Sequence, residues 1–257
     1  MTEGESYKRC GRNGTSLKHS TAKIGKGVKI GDFVLISEGC SIEDNTIIGN
    51  RVTLHKDTKI GSGIIIQDNC IIGKQPIAGP LSSYKIEEQK GTVIKDKTII
   101  GCGAIIYSGT VIGSEVFIGD EAHIREKCII GDVSTIGRKA TLEFGVLIGS
   151  RTRVMNNAQI TEGTKIGNNV FIAPDVTTLS DRKMARDKNT FKPPVFQDYS
   201  RVGGNAIIMP GVTIGFESAV AAGSVVFQNV KKHTIVLGNP AKFAGIVPKK
   251  DRLSERD

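Results

Sequence analysis

The chain has 257 residues, 5% aromatics, no Trp and a formal net charge of +9 at pH 7. This length allows one domain or two, and the scarcity of aromatics suits a narrow core of aliphatic and small side chains. The positive charge fits polyanionic ligands. No known nucleic-acid-binding module is present, and no stretch is long and apolar enough to span a membrane.

Residues 1–21 are polar and are expected to form an irregular arm. An aliphatic residue then returns at every sixth position, from Ile24 through Ile30, Ile36, Ile42, Ile48, Leu54, Ile60 and Ile66 to Ile72. The register breaks over Lys74–Gly91, a stretch rich in Pro, Gly, Ser and charge that reads as a loop. It resumes at Ile94 and runs without a miss to Ile172. A second, basic interruption is expected over Asp181–Asp198. The pattern returns at Val202, Ile208, Ile214, Val220 and Val226, and a cap and charged tail are expected over 231–257.

A period of six is neither helical nor that of a plain strand. It fits an all-β solenoid: a short strand with one inward aliphatic side chain, then a turn, three such units closing a coil of about 18 residues. The hexads amount to about nine coils over 22–230. Cys40, Cys70 and Cys128 fall on the small inward position two residues before the aliphatic one. They read as core filler in a reducing compartment. Cys10 and Cys102 have no assignment, and no zinc spacing is present. With a polar N-terminus, these features make a cytoplasmic protein the expectation.

Residues 18 apart should stack. The column Gly101, Gly119, Gly137 is glycine, whereas Tyr107, Arg125, Glu143 and Thr161 carry side chains at the equivalent corner. His123, Arg125, Glu143, Asn157 and Gln159 are therefore expected along one edge, as a candidate site or as a solvated, subunit-facing ladder. The loop 74–91 is not needed by the repeat. Its Tyr84 offers a face for a base, Lys74 a charge for a diphosphate, and Gln75 hydrogen bonds.

The repeat resembles that of the hexapeptide-repeat acyltransferases, which implies a left-handed parallel β-helix and a homotrimer. The segments Val202–Gly215, Ala221–Val226 and Gly238–Lys242 are similar to the closing signature of the acetyl-CoA-dependent members. By that resemblance Gly203, Gly204, Ala222 and Gly223 would leave room for a pantetheine arm, and Lys231 and Lys242 would meet its phosphates. Gly73-Lys74-Gln75-Pro76, His123-Ile124-Arg125-Glu126, Glu143, Asn157 and Phe171-Ile172-Ala173-Pro174 are similar to the N-acetyltransferases of nucleotide-linked 3-amino-dideoxy sugars. This implies acetyl transfer to the amine of a dTDP- or UDP-linked sugar. On that reading His123, Glu143 and Asn157 are expected to orient the amine, and Lys74, Gln75, Tyr84 and Arg125 to hold the acceptor. No metal is implied. The related lipid A acyltransferases have a catalytic His where this chain has Glu126, and the zinc-dependent hexapeptide proteins need three His, whereas only His123 lies within the unbroken block. The alternatives are O-acetylation of a sugar or antibiotic hydroxyl, for which His123 would be indispensable as a base, and a non-catalytic structural solenoid.

Overall fold

A computed structural model describes residues 7–80, 87, 89–187 and 191–255. Among these, regular structure is β-strand except for one turn of 3-10 helix at Lys249–Asp251, within the charged tail. The strands build a left-handed parallel β-solenoid. The chain divides into two compact units, Met1–Cys128 and Ile129–Asp257.

In the first unit, two-residue strands stack in three parallel ladders. One runs Leu17, Leu35, Thr53, Ile71, Ile105, His123. The second runs Lys23, Ser41, Lys59, Val93, Val111, and the third Lys29, Ile47, Ile65, Ile99, Phe117. The second residue of each rung points inward, and Ile36, Leu54, Ile72, Ile106 and Ile124 are fully buried. The small inward positions include hydroxyls. Thr46 Oγ1 donates to the Gly61 carbonyl at 2.9 Å, and Thr98 Oγ1 to the Gly113 carbonyl at 2.9 Å, so these buried polar groups are satisfied. Burial pushes the Cys40 and Cys70 thiols up to about 11, which makes them inert filler.

The glycine corners have a steric cause. Asp120 Oδ1 accepts from Cys102 N at 2.9 Å, and a Cβ on Gly101 would lie 2.5 Å from that same oxygen. A side chain there would displace the carboxylate that ties one coil to the next.

The arm expected to be irregular is ordered from Tyr7 onward. Tyr7–Cys10 pairs antiparallel with Ser16–His19, which then joins the first ladder through Leu17 and Leu35. Asp32 accepts from Thr15 Oγ1 at 2.6 Å and Asn13 Nδ2 at 2.9 Å and holds the hairpin's turn against the first coil. The first insertion shows in the spacing of the bonds between coils. Ser62 N donates to Asp96 Oδ1 34 residues on, where the equivalent Lys26 bond to Asp44 spans 18.

The second unit repeats the plan. Its ladders run Thr141, Gln159, Thr177, Ile207, Val225; Ile129, Leu147, Lys165, Val195, Thr213; and Thr135, Arg153, Phe171, Arg201, Ala219, Ile235. Its insertion is shorter than expected. Thr178 still faces inward, and Phe196, fully buried, already does so again. The sequence pattern passed over both because one is polar and the other aromatic. The turns of the two units together number about a dozen, more than the nine counted from hexads. Thr234–Leu237 pairs antiparallel with Lys242–Ile246 to end the last ladder. The tail is pinned by Glu217, only 4% exposed, which accepts from the amides of Leu253 and Ser254 and from the Ser254 hydroxyl.

Candidate functional site

In the first unit the corner following the ladder Ile71, Ile105, His123 gathers polar side chains. Gly73 adopts φ 83°, and the pairing shifts register between Ile72 and Lys74, so that Lys74 rather than Gly73 faces Tyr107. A Cβ on Gly73 would lie 2.5 Å from Thr58 Oγ1, so this bulge requires glycine. Lys74 Nζ then stands 5.2 Å from the centroid of the Tyr107 ring, and the Arg125 guanidinium also lies 5.2 Å from that centroid. The His123 ring sits 5.4 Å from the same centroid, tilted by 58°.

Arg125 is held side-on by Glu126, with Nε to Oε2 at 2.8 Å and an Nη donating to Oε1 at 3.0 Å. Glu126 is 5% exposed. Burial, then the Arg125 and Lys74 cations, push the His123 pKa below its ordinary value of 6.5, and Glu126 opposes them. His123 is therefore a neutral imidazole near pH 7, free to accept a proton. His55 is lowered in the same direction, by burial and then by Lys74. The sequence reading placed His123, Arg125 and Lys74 in the site. It left out Tyr107 as a platform and Glu126 as the counter-charge. The Tyr107 column was visible, but its contact with Lys74 depends on the bulge at Gly73.

The loop residues divide. Gln75 Nε2 donates to the Gln89 carbonyl at 3.2 Å, and Gln75 Oε1 accepts from Gln89 N at 3.3 Å. Gln75 thus ties the ends of the loop together. Tyr84 lies outside the described residues.

In the second unit, Glu143 directly follows the strand Thr141–Leu142 and is partly exposed. Asn157 stands ahead of the strand Gln159–Ile160, exposed, with φ 58°. The two occupy corners at opposite ends of rungs in the same ladder. Asn tolerates this left-handed conformation better than most residues, so the turn by itself favours Asn here.

The amides of Gly203 and Gly223 both donate within the solenoid. Gly203 N bonds the Val220 carbonyl at 2.8 Å, and Gly223 N bonds the Gly204 carbonyl at 2.8 Å. A Cβ on Gly203 would lie 2.5 Å from Ala222 N, so coil stacking itself demands glycine there. Lys231 and Lys242 do come together. They line a cavity of about 710 Å³ with Phe227, Pro240 and Phe243, in which Gly203, Gly204, Ala222 and Gly223 take no part. Among the described residues no group of three His, Cys, Asp or Glu side chains could hold a metal ion. No described helix is long and apolar enough to cross a membrane.

The chain is similar to known proteins along its repeat. The family model described as bacterial transferase hexapeptide (six repeats) matches residues 21–56 and 145–179, and the hexapeptide repeat of succinyl-transferase matches 39–74 and 198–228. A 2,3,4,5-tetrahydropyridine-2,6-dicarboxylate N-acetyltransferase of Clostridium perfringens is 43% identical over 60 residues, 23% of this chain and 25% of that protein. The chain spans less than half the length of the curated relatives it matches. Among solved structures, Arabidopsis UDP-N-acetylglucosamine acyltransferase has a TM-score of 0.57 at 20% identity, over 94% of this chain and 75% of that one, which is a likeness of fold. A hexapeptide-repeat acetyltransferase from Vibrio cholerae, complexed with acetyl-CoA, is 32% identical over 48% of this chain and 72% of that one, with a TM-score of 0.43. None of these is an N-acetyltransferase of a 3-amino-dideoxy sugar.

Proposed function

We propose that this hexapeptide-repeat β-solenoid is an acetyl-CoA-dependent acyltransferase whose acceptor is a hydroxyl of a nucleotide-linked sugar. The observation that carries the reading is the state of His123: a half-buried imidazole against Tyr107, kept unprotonated by burial and by two neighbouring cations. A neutral base is what an alcohol acceptor needs. His123 takes the hydroxyl proton as the oxygen attacks the thioester carbonyl. A C–O bond forms, the tetrahedral oxyanion collapses, the C–S bond breaks, and the thiolate leaves with the proton from the imidazolium. Lys74 and Arg125 face the acceptor's diphosphate. Lys231 and Lys242 meet the phosphates of CoA in their cavity, and Gly203, Gly204, Ala222 and Gly223 keep the surface beside it narrow. A homotrimer would supply a neighbouring face to wall the site.

The second reading is N-acetylation of a nucleotide-linked amino sugar, with Glu143 and Asn157 orienting the amine. The short sequence words shared with those enzymes favour it. An unprotonated amine attacks a thioester without a base, so positioning supplies most of the rate. Steady-state kinetics of His123→Ala with matched hydroxyl and amino acceptors test the reading. Loss of about 10²- to 10⁴-fold in kcat with bound acceptor is expected for the hydroxyl. A loss below about tenfold, with turnover confined to the amine, would replace the first reading by the second.

A further inference from the structure

The second unit holds another concentration of charge. Arg153 and Arg201 flank Phe171 on successive rungs of one ladder. Arg151, at the preceding corner, joins them around a cavity of about 540 Å³. Phe171, Val133 and Leu253 give it apolar walls, and it shares no lining residue with the cavity of Lys231 and Lys242.

Among the described residues no carboxylate lies within ion-pair distance of any of the three guanidinium groups. Arg201 is half-buried and spends one Nη on the carbonyls of Asn169 and Ser200. Burial, and further the repulsion of Arg153, lower its pKa, against the pull of Glu217. Glu217 cannot turn to neutralise the cluster, because its oxygens accept from Leu253 and Ser254. The backbone carries a further cost here. Val133, a β-branched residue 53% exposed in the cavity wall, adopts φ 59°. Three unpaired arginines at one opening repel one another, and packing of the solenoid does not require them to converge, since Arg151 and Arg153 are exposed.

We propose that this cavity is a second binding site, which takes the phosphate end of a small phosphorylated metabolite with its apolar portion against Phe171 and Leu253. Guanidinium groups match phosphate oxygens in forked pairs, and a dianion would neutralise a cluster that the fold balances only through Glu217, which attracts Arg201 without pairing with it.

The test is calorimetric titration of the full chain with ADP, adenosine and inorganic phosphate, each in saturating acetyl-CoA so that the cosubstrate's own site is filled. ADP should bind, phosphate more weakly and adenosine not at all, with affinity falling as salt rises. Arg153→Ala, an exposed position, and Arg201→Lys, which keeps the charge but loses the fork, should each weaken ADP at least tenfold. Acetyl-CoA affinity should stay within about twofold. Equal ADP affinity in the variants would overturn the assignment, as would absence of binding to the unaltered protein. A parallel loss of acetyl-CoA would make the cavity an end of the cosubstrate site, and a drop in oligomer mass in the variants would make it a contact between copies. Either result sinks the proposal while leaving the acyltransferase reading to its own test.

Discussion

Two cationic clusters, one in each unit, are built on opposite terms. Lys74 and Arg125 share the ring of Tyr107, and Arg125 has Glu126 beside it. Arg151, Arg153 and Arg201 share a cavity and have no such partner. In the first cluster the charge is shaped: enough remains to depress the pKa of His123, while the guanidinium is fixed in place. In the second it is left open. A fixed, partly neutralised cation tunes a neighbouring group, whereas an uncompensated one attracts an ion from outside.

The contrast breaks most sharply at Arg125. Arg125→Met removes one cause of the depressed His123 pKa and leaves the buried Glu126 without its partner. Both changes favour protonated His123, so the acidic limb of the pH–rate profile should move to higher pH. Denaturation should show a loss of about 1–2 kcal/mol, less than for a fully buried pair because Arg125 is partly solvated. The acceptor KM should rise at least tenfold. A limb that stays in place would show that burial and Lys74, without Arg125, set His123.

Glu217→Ala sharpens the other side. It frees the tail whose Leu253 walls the arginine cavity, at about 1–2 kcal/mol for lost hydrogen bonds to a buried carboxylate. Burial by itself raises the Glu217 pKa, but the hydrogen bonds from Ser254 and Leu253 and the nearby His233 outweigh it and leave the value lowered. A depressed carboxylate stabilises the fold above its unfolded pKa, and that contribution fades as pH falls through the folded value. Protection of the Leu253 and Ser254 amides, corrected for the intrinsic pH dependence of exchange, should therefore be high at neutral pH, fall as pH drops through the depressed Glu217 value, and be low throughout in the variant.

The smallest effect belongs to the first loop. Replacing 77–88 by a short Gly-Ser link, with Gln75 and Gln89 kept, should leave the melting temperature within about 2 °C, because closure entropy varies slowly with length. Nucleotide-sugar affinity should weaken at least tenfold, about 1.4 kcal/mol. Unchanged affinity would confine the acceptor to the Tyr107 corner.

The inward face was legible in the sequence because one aliphatic side chain per hexad is a packing demand with little freedom. The exceptions, Thr178 and Phe196, fill the same space with other chemistry. The corners were harder to read, because a residue there can answer to the turn or to a ligand. Asn157 stands in a left-handed turn and Gly203 packs against Ala222, so at both positions a demand of the fold coincides with the proposed role. Arg153 and Arg201 escaped notice for a topological reason: the second insertion lies between them, so no fixed spacing of 18 relates their columns. The N-terminal hairpin escaped because antiparallel pairing of Tyr7–Cys10 with Ser16–His19 has no six-residue signal.

That hairpin and its C-terminal counterpart, Thr234–Leu237 with Lys242–Ile246, reverse chain direction beside the first and last rungs. Stacked parallel rungs are a template on which any further rung, from this chain or another copy, can be laid by the same hydrogen bonds. A strand running the other way presents those donors and acceptors out of step with an incoming hexad. Each hairpin acts as a chain terminator, in the sense of polymer growth, for the one ladder whose edge it covers.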